Sequence, residues 1–92
     1  MNQLIGVEIT VSGLVQGVGF RYYILNNANS IGVNGYVHNL MNGSVFIKAE
    51  GNEDQIEKII KVAQKGPPRS GVIDKRINYV SATGEYKSFI IK

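Results

Sequence analysis

A glycine-rich stretch, residues 13 to 21 (GLVQGVGFR), constrains the fold of this chain more than any other segment. Its three glycines, Gly13, Gly17 and Gly19, permit positive φ angles and a close approach of a ligand to the backbone. An alternating apolar run precedes the stretch, and a helical pattern starts near Phe20. A turn that leads into a helix start leaves several backbone N–H groups without intrahelical partners. The stretch therefore predicts a cradle for an anion, in particular a phosphate.

Arg21 supports this prediction because it breaks a local rule. A cation in the first turn of a helix opposes the helix dipole and is mildly unfavourable. An anion bound between the N–H groups and the guanidinium would reverse that cost, and such a conflict suggests a functional site. The stretch is neither a Walker loop nor a dinucleotide-binding turn, since it lacks the residues and the glycine spacing that those sites need. On these residues alone, a structural glycine turn with a solvated arginine stays open as the alternative.

Hydrophobic periodicity predicts the other elements. Alternation with period two indicates strands, and apolar spacings of three and four indicate helices. The predicted elements are strand 4–12, helix 20–31, strands 33–40 and 44–50, helix 53–65, strand 72–80 and a short strand 87–91.

Local signals mark the ends of several elements. Gly32 is a natural stop for the first helix. Asn52 is expected to cap the second helix, with Gln55 at the capping-box position. Asn42-Gly43 predicts a hairpin turn in which both residues tolerate positive φ, and the segment from Ser81 to Glu85 is expected to be a turn.

This order of elements predicts an α+β fold of the ferredoxin-like, β-α-β-β-α-β type. Because the strand patterns have one apolar face, we expect an antiparallel sheet with two helices on one face and a short terminal strand added. The length of 92 residues fits one domain, residues 1–92.

Composition narrows the chemistry. The chain has no cysteine, so no disulfide and no thiolate nucleophile are expected, and with a single histidine, His38, no metal site is expected either. The net charge of +3 favours anionic partners, but the basic residues are scattered, which suits a small anion better than a nucleic acid. No apolar segment approaches the roughly 20 residues of a membrane span and no signal peptide is evident, so a cytoplasmic location is expected.

GLVQGVGFR resembles the first signature of the acylphosphatase family. A second signature follows at the expected intervals, beginning with Gly35-Tyr36-Val37-His38-Asn39 and continuing with Gly43, Val45 and Gly51. The resemblance covers nearly the whole chain and includes Gly66-Pro67-Pro68 and the segment from Thr83 to Phe89. It implies the ferredoxin-like fold and the hydrolysis of acyl phosphates to a carboxylate and inorganic phosphate.

The resemblance also implies roles for particular residues. The phosphate-binding loop would consist of Gln16, Gly17, Val18, Gly19, Phe20 and Arg21. Its backbone N–H groups and Arg21 would hold the phosphoryl oxygens, and Asn39 would orient the attacking water. Gln16 is expected to support the loop through its backbone rather than to do chemistry through its amide. No metal or cofactor is implied.

Expected partners follow from the same resemblance. They are a small acyl phosphate as substrate and phosphate or sulfate in the site, with no nucleic acid and no membrane, and the chain is expected to be a monomer.

Some residues carry alternatives. His38 departs from the family pattern and is expected to face away from Asn39 with little effect on chemistry. Asn39 considered alone would be a turn-entry residue, and Tyr22 and Tyr23 are expected to pack rather than to line the site.

Two other functions remain open. An RNA-recognition domain has the same element order, but it needs stacking aromatic residues on its central strands and a basic residue leading the third, and here the third strand offers only Phe46. A phosphate-sensing domain without turnover is the other rival, and the presence of Asn39 beside Arg21 argues against it.

Overall fold

The computed structural model describes residues 3 to 92. Within this range the chain forms five strands and two helices in the predicted order. They are β1 (Ile5–Leu14), α1 (Phe20–Ile31), β2 (Asn34–Asn39), β3 (Val45–Gly51), α2 (Glu53–Lys65), β4 (Gly71–Ser81) and β5 (Phe89–Ile91). The expected domain span of 1–92 begins with Met1 and Asn2, which lie outside the described residues.

The strands form one mixed sheet in the order β4-β1-β3-β2-β5. The four long strands pair antiparallel, as predicted for a ferredoxin-like fold. The short β5 differs because it pairs parallel to β2, with Phe89 opposite Gly35. The chain leaves β4 at one edge of the sheet and crosses to the opposite edge, where it adds to β2 in the same direction.

Both helices begin and end as their local signals predict. The N–H of Gly32, at φ 100°, bonds the Ala28 carbonyl and ends α1. Asn52 caps α2 through a complete capping box in which its side chain accepts from the N–H of Gln55, while the Gln55 side chain accepts from the N–H of Asn52. These features depend on neighbours within four residues, which is why the sequence alone reveals them.

The core lies between the helices and one face of the sheet. On β1 this face carries Val7, Ile9 and Val11, all fully buried. The buried stripes of the helices cover it, and their members are Phe20, Ile24, Ala28, Ile56, Ile59, Ile60 and Ala63. The one-sided strand patterns of the sequence are thus explained by helices on one face only.

The limits of β1 and β4 differ slightly from prediction. β1 continues to Leu14 rather than stopping at residue 12, because a register shift between Ser12 and Gly13 lets the chain keep pairing with β4. Gly13, at φ 117°, makes this bulge possible, since a Cβ atom there would lie 2.3 Å from the carbonyl oxygen of Gly71. The weak apolar pattern of β4 reflects its edge position, where most of its residues are exposed.

The hairpin between β2 and β3 forms as expected, with the positive φ angle at one of its two turn residues. Gly43 adopts φ 93°, whereas Asn42 does not enter the positive-φ region. Instead, the Asn42 side chain accepts a hydrogen bond from the Ser44 N–H at 3.0 Å. The asparagine contributes an Asx-type hydrogen bond rather than a left-handed backbone.

The connection from β4 to β5 is held by a buried carboxylate that the sequence did not reveal. Glu50 on β3 is 3% exposed. Its carboxylate accepts hydrogen bonds from the Thr83 N–H at 2.7 Å, the Thr83 hydroxyl at 3.2 Å and the Gly84 N–H at 3.0 Å. We call residues 82 to 85 the Glu50 turn. It lies within the segment that was predicted to be a turn.

In the part of the chain that the structure describes, neither helix is long and apolar enough to cross a membrane.

Candidate active site

The glycine-rich loop between β1 and α1 is fixed at both ends by buried side chains. Val15 and Phe20 are 1% and 2% exposed and belong to the core. Between them, Gly17 and Gly19 are exposed and adopt φ values of 77° and 78°, as the sequence predicted. The loop therefore presents a shaped stretch of backbone to solvent on a rigid base.

Backbone donors are left free in this loop. The first helical hydrogen bond of α1 runs from the Tyr23 N–H to the Gly19 carbonyl at 3.0 Å. The N–H groups of residues 16 to 22 have no hydrogen-bond partner among residues 3 to 92. Gly19 caps the helix in a left-handed conformation without a side-chain hydrogen bond. Free N–H groups at a helix start form a site for an anion.

Arg21 adds a cation beside these donors. It lies in the first turn of α1, is half-buried, and the first turn contains no acidic residue. Within residues 3 to 92, the ion pair found is between Lys48 and Glu8, so Arg21 has no carboxylate partner there. The unfavourable position that the sequence indicated is therefore present in the structure without a compensating acidic side chain.

Asn39 reaches the same place from another element. It is the last residue of β2 and is exposed. It lies two residues after the fully buried Val37, and residues two apart on a strand share a face. Its side chain therefore projects on the side of the sheet that the helices cover. A cavity of about 150 Å³ is lined by Val15, Gln16, Gly17, Gly19, Phe20, Arg21, Tyr22 and Asn39.

The cavity brings together most of the predicted site. Of the expected loop residues, all except Val18 line it. The Val18 side chain is half-buried and packs against the core, so it supports the loop from beneath. Tyr22 lines the cavity and is 63% exposed, contrary to the expectation that it would pack, whereas Tyr23 packs edge-on against Phe20.

Size alone would not identify this site. Hollows of about 460 Å³ and 480 Å³ lie elsewhere on the surface, beside β4 and beside the segment after α2. The small cavity is distinguished by its chemistry, because it combines free N–H groups, a guanidinium and an amide. A volume of this order suits a phosphoryl group better than a large organic ligand.

The Gln16 side chain makes a contact that sequence reasoning missed. Its amide nitrogen donates to the Leu40 carbonyl at 2.8 Å and to the Ser44 carbonyl at 2.9 Å. Both acceptors belong to the hairpin between β2 and β3. These partners are 24 and 28 residues away, and no local sequence pattern signals such a bond.

His38 lies on the opposite face of the sheet from Asn39, as expected. Its ring contacts Tyr36 and Phe46, and Tyr86 joins the same aromatic cluster. From the sequence, Phe46 was the one aromatic residue noted on the third strand, and the cluster around it was not anticipated. The rings pack at steep or tilted angles to one another, and the Lys92 ammonium lies 4.1 Å from the Tyr36 ring centre. The cluster thus forms a small packed layer on the face of the sheet without helices.

Residues 3 to 92 contain no group of three or more His, Cys, Asp or Glu side chains arranged to hold a metal ion.

Comparison with known proteins gives consistent similarities. The family model described as acylphosphatase matches residues 7–91, a range that includes the loop and Asn39. The acylphosphatase of Thermotoga maritima is 44% identical over 86 residues, which cover 94% of each chain. The crystal structure of acylphosphatase from Bacillus subtilis matches with a TM-score of 0.91 at 33% identity, covering 98% of this chain and 99% of that chain. An acylphosphatase structure from Coxiella burnetii matches with a TM-score of 0.90 at 31% identity, over 99% of this chain and 94% of the other.

Proposed function

The chain belongs to the acylphosphatase family, and from this premise we propose that it hydrolyses acyl phosphates to a carboxylate and inorganic phosphate. The observation that carries the proposal is the cavity in which the loop, Arg21 and Asn39 meet. An acyl phosphate is an activated substrate with a good leaving group. Its hydrolysis therefore depends on positioning and charge stabilisation more than on a strong nucleophile.

The loop and Arg21 hold the phosphoryl group. The N–H groups of residues 16 to 21 supply hydrogen bonds to its oxygens, and the planar guanidinium can bind two oxygens while it stays charged. Both kinds of donor are free of protein acceptors in the described chain. Because they are fixed before the substrate arrives, they stabilise the charge that develops on the phosphoryl oxygens in the transition state.

Asn39 orients the attacking water. Its amide can accept a hydrogen bond from the water and donate one to an oxygen, but it cannot remove a proton at neutral pH. The water oxygen forms a bond to phosphorus while the bond from phosphorus to the acyl oxygen breaks. The bonding electrons leave with the carboxylate, and the proton of the water passes to a phosphoryl oxygen.

The reaction as proposed uses no metal and no cofactor. Its partner is a small acyl phosphate, and phosphate or sulfate is expected to bind in the same cavity. A monomeric chain in the cytoplasm, without nucleic-acid or membrane partners, remains our expectation.

Release of phosphate from benzoyl phosphate, measured with and without a chelator, tests this function. Wild-type turnover should persist in chelator. Arg21→Ala and Asn39→Ala should each lose activity by roughly 100- to 1,000-fold, the usual effect of removing one preorganised donor. Arg76→Ala, which removes an exposed arginine on β4, is the matched control and should keep full activity.

The variants also need a folding check. Arg21→Ala should be as stable as the wild type or more stable by about 0.5 kcal/mol, because a cation is lost from the helix N-terminus. Absence of wild-type turnover, or equal turnover in Arg21→Ala, would contradict the hydrolase assignment. A gel shift of single-stranded RNA at physiological salt without hydrolysis would favour the RNA-binding rival, and phosphate binding without turnover would favour a sensing domain.

A further inference from the structure

The two carbonyl groups bound by Gln16 lie at the hairpin end of the β2–β3 pair, directly beyond the last paired residues, Asn39 and Val45. Leu40 follows Asn39 directly, and Ser44 precedes Val45, the cross-strand partner of Asn39. The Gln16 amide nitrogen lies 2.8 Å and 2.9 Å from the carbonyl oxygens of Leu40 and Ser44. One side chain of the glycine-rich loop therefore forms hydrogen bonds with the end of β2, next to the position from which Asn39 projects.

The hairpin itself is closed by short-range bonds. The Leu40 N–H donates to the Ser44 carbonyl at 2.8 Å, and the Gly43 N–H donates to the Leu40 carbonyl at 3.2 Å. Each of these carbonyls uses its second acceptor position for Gln16. Within residues 3 to 92, Gln16 is the group outside the hairpin that bonds both carbonyls. The Gln16 amide is thus a direct polar link between the loop and the hairpin.

Glutamine fits this contact for a chemical reason. The two hydrogens of one amide nitrogen can point at two carbonyl oxygens, and the group carries no charge to desolvate. A glutamate of the same length would place negative oxygens against the carbonyls, and a methionine of similar length would offer no donor. The contact needs the amide rather than only the bulk of the side chain.

We propose that Gln16 is a positioning residue that holds Asn39 in register with the phosphate loop. The inference rests on the proposed function, since it assigns Gln16 to the placement of the attacking water. Gln16 acts through Asn39 and not on the phosphate, because its amide hydrogens are directed at the hairpin. A displacement of the water by about 1 Å is enough to cost roughly 100-fold in rate.

Kinetics of Gln16→Met and Gln16→Glu with benzoyl phosphate test this proposal. We expect kcat to fall by about 10- to 100-fold. In Gln16→Met, which adds no charge, the affinity for inorganic phosphate should change less than about threefold, because the backbone donors and Arg21 remain. Gln64→Met, the same exchange on α2, is the control and should keep wild-type kcat.

A double-mutant cycle separates positioning from simple structural support. If Gln16 works through Asn39, Gln16→Met should reduce kcat no further in an Asn39→Ala background. An undiminished effect in that background would overturn the inference, as would wild-type kcat in both single variants or loss of cooperative unfolding in both. If the wild type itself releases no phosphate, the proposed function fails instead, so the two failures are distinguishable.

Discussion

Two turns of this chain each contain a glycine with nearly the same positive φ angle, but the turns have opposite surroundings. Gly17 in the phosphate loop has φ 77°, and Gly84 in the Glu50 turn has φ 74°. In the Glu50 turn, the N–H groups of Thr83 and Gly84 donate to the carboxylate of Glu50. In the loop, the N–H groups of residues 16 to 22 have no acceptor among the described residues.

The difference separates a turn whose N–H donors are satisfied within the chain from a turn whose N–H donors stay open. Successive backbone N–H groups in a turn attract an anion in either case. Where the chain supplies the anion itself, as the Glu50 carboxylate, the turn links β3 to the connection that leads to β5. Where it does not, the donors stay available for an anionic ligand, and Arg21 adds a positive charge. The predictions below test this division between an internally satisfied turn and an open one.

The largest expected effect on stability comes from breaking the internal anion site. Glu50→Gln keeps the shape of the side chain but turns amide hydrogens toward N–H donors. Because a buried charged acceptor with three hydrogen bonds is lost, the free energy of unfolding should fall by about 3 kcal/mol. Urea unfolding measures this fall, and phosphate release per folded molecule should stay at the wild-type level.

Glu8→Gln is the matched control for Glu50→Gln. Glu8 is about a third exposed and forms one ion pair with Lys48 at 3.6 Å. Such pairs contribute little, so its loss should cost less than about 1 kcal/mol. Equal destabilisation by the two variants, or a lower kcat in folded Glu50→Gln, would contradict the view that the Glu50 turn is purely structural.

Filling the open site should stabilise the protein. At inorganic phosphate concentrations about 100 times the dissociation constant, the free energy of unfolding should rise by about 2.7 kcal/mol. The same increment is expected in Glu50→Gln, because its loop is intact, and little or none in Arg21→Ala. Thermal unfolding across a phosphate series measures it. If phosphate no longer raised the free energy of unfolding in Glu50→Gln, the phosphate would bind at the Glu50 turn and not at the glycine-rich loop.

The contrast between the two turns also explains which features of the structure could be predicted from the sequence. The conformation of the glycine-rich loop could be predicted because its signals are contiguous: three glycines, a strand before and a helix after. The caps at Gly32 and Asn52 were found for the same reason. The hydrogen bonds of the Glu50 turn join Glu50 to residues 33 and 34 positions away, so no local sequence pattern around Glu50 predicts them.

Long-range features were missed in the same way elsewhere. The parallel direction of β5 depends on which edge of the sheet the chain returns to, and no residue in that short strand encodes it. The Gln16 contact depends on the packing of the loop against the hairpin. The fold, with its two helices on one face, could be predicted because periodicity is local. The links between elements, which set the geometry of the candidate site, could not.

The smallest expected effect comes from a matched pair, Gly17→Ala and Gly84→Ala. The two glycines have φ values within a few degrees of each other, and a Cβ atom at either position would meet no heavy atom within 4 Å. The cost of each exchange is therefore conformational, about 1 kcal/mol, and should be nearly equal in the two variants. Urea unfolding should give free energies that agree within error.

Gly17→Ala and Gly84→Ala should differ in activity although they do not differ in stability. Gly17 lines the cavity and Gly84 does not, so only Gly17→Ala places a methyl group beside the donors proposed to hold the phosphoryl group. We expect a raised KM for benzoyl phosphate and weaker inorganic phosphate binding in Gly17→Ala, with wild-type values in Gly84→Ala. If the two variants lose equal stability, a difference in activity comes from the position of the turn relative to the ligand. Equal loss of activity in both variants would mean that strain, rather than access to the free N–H groups, controls turnover.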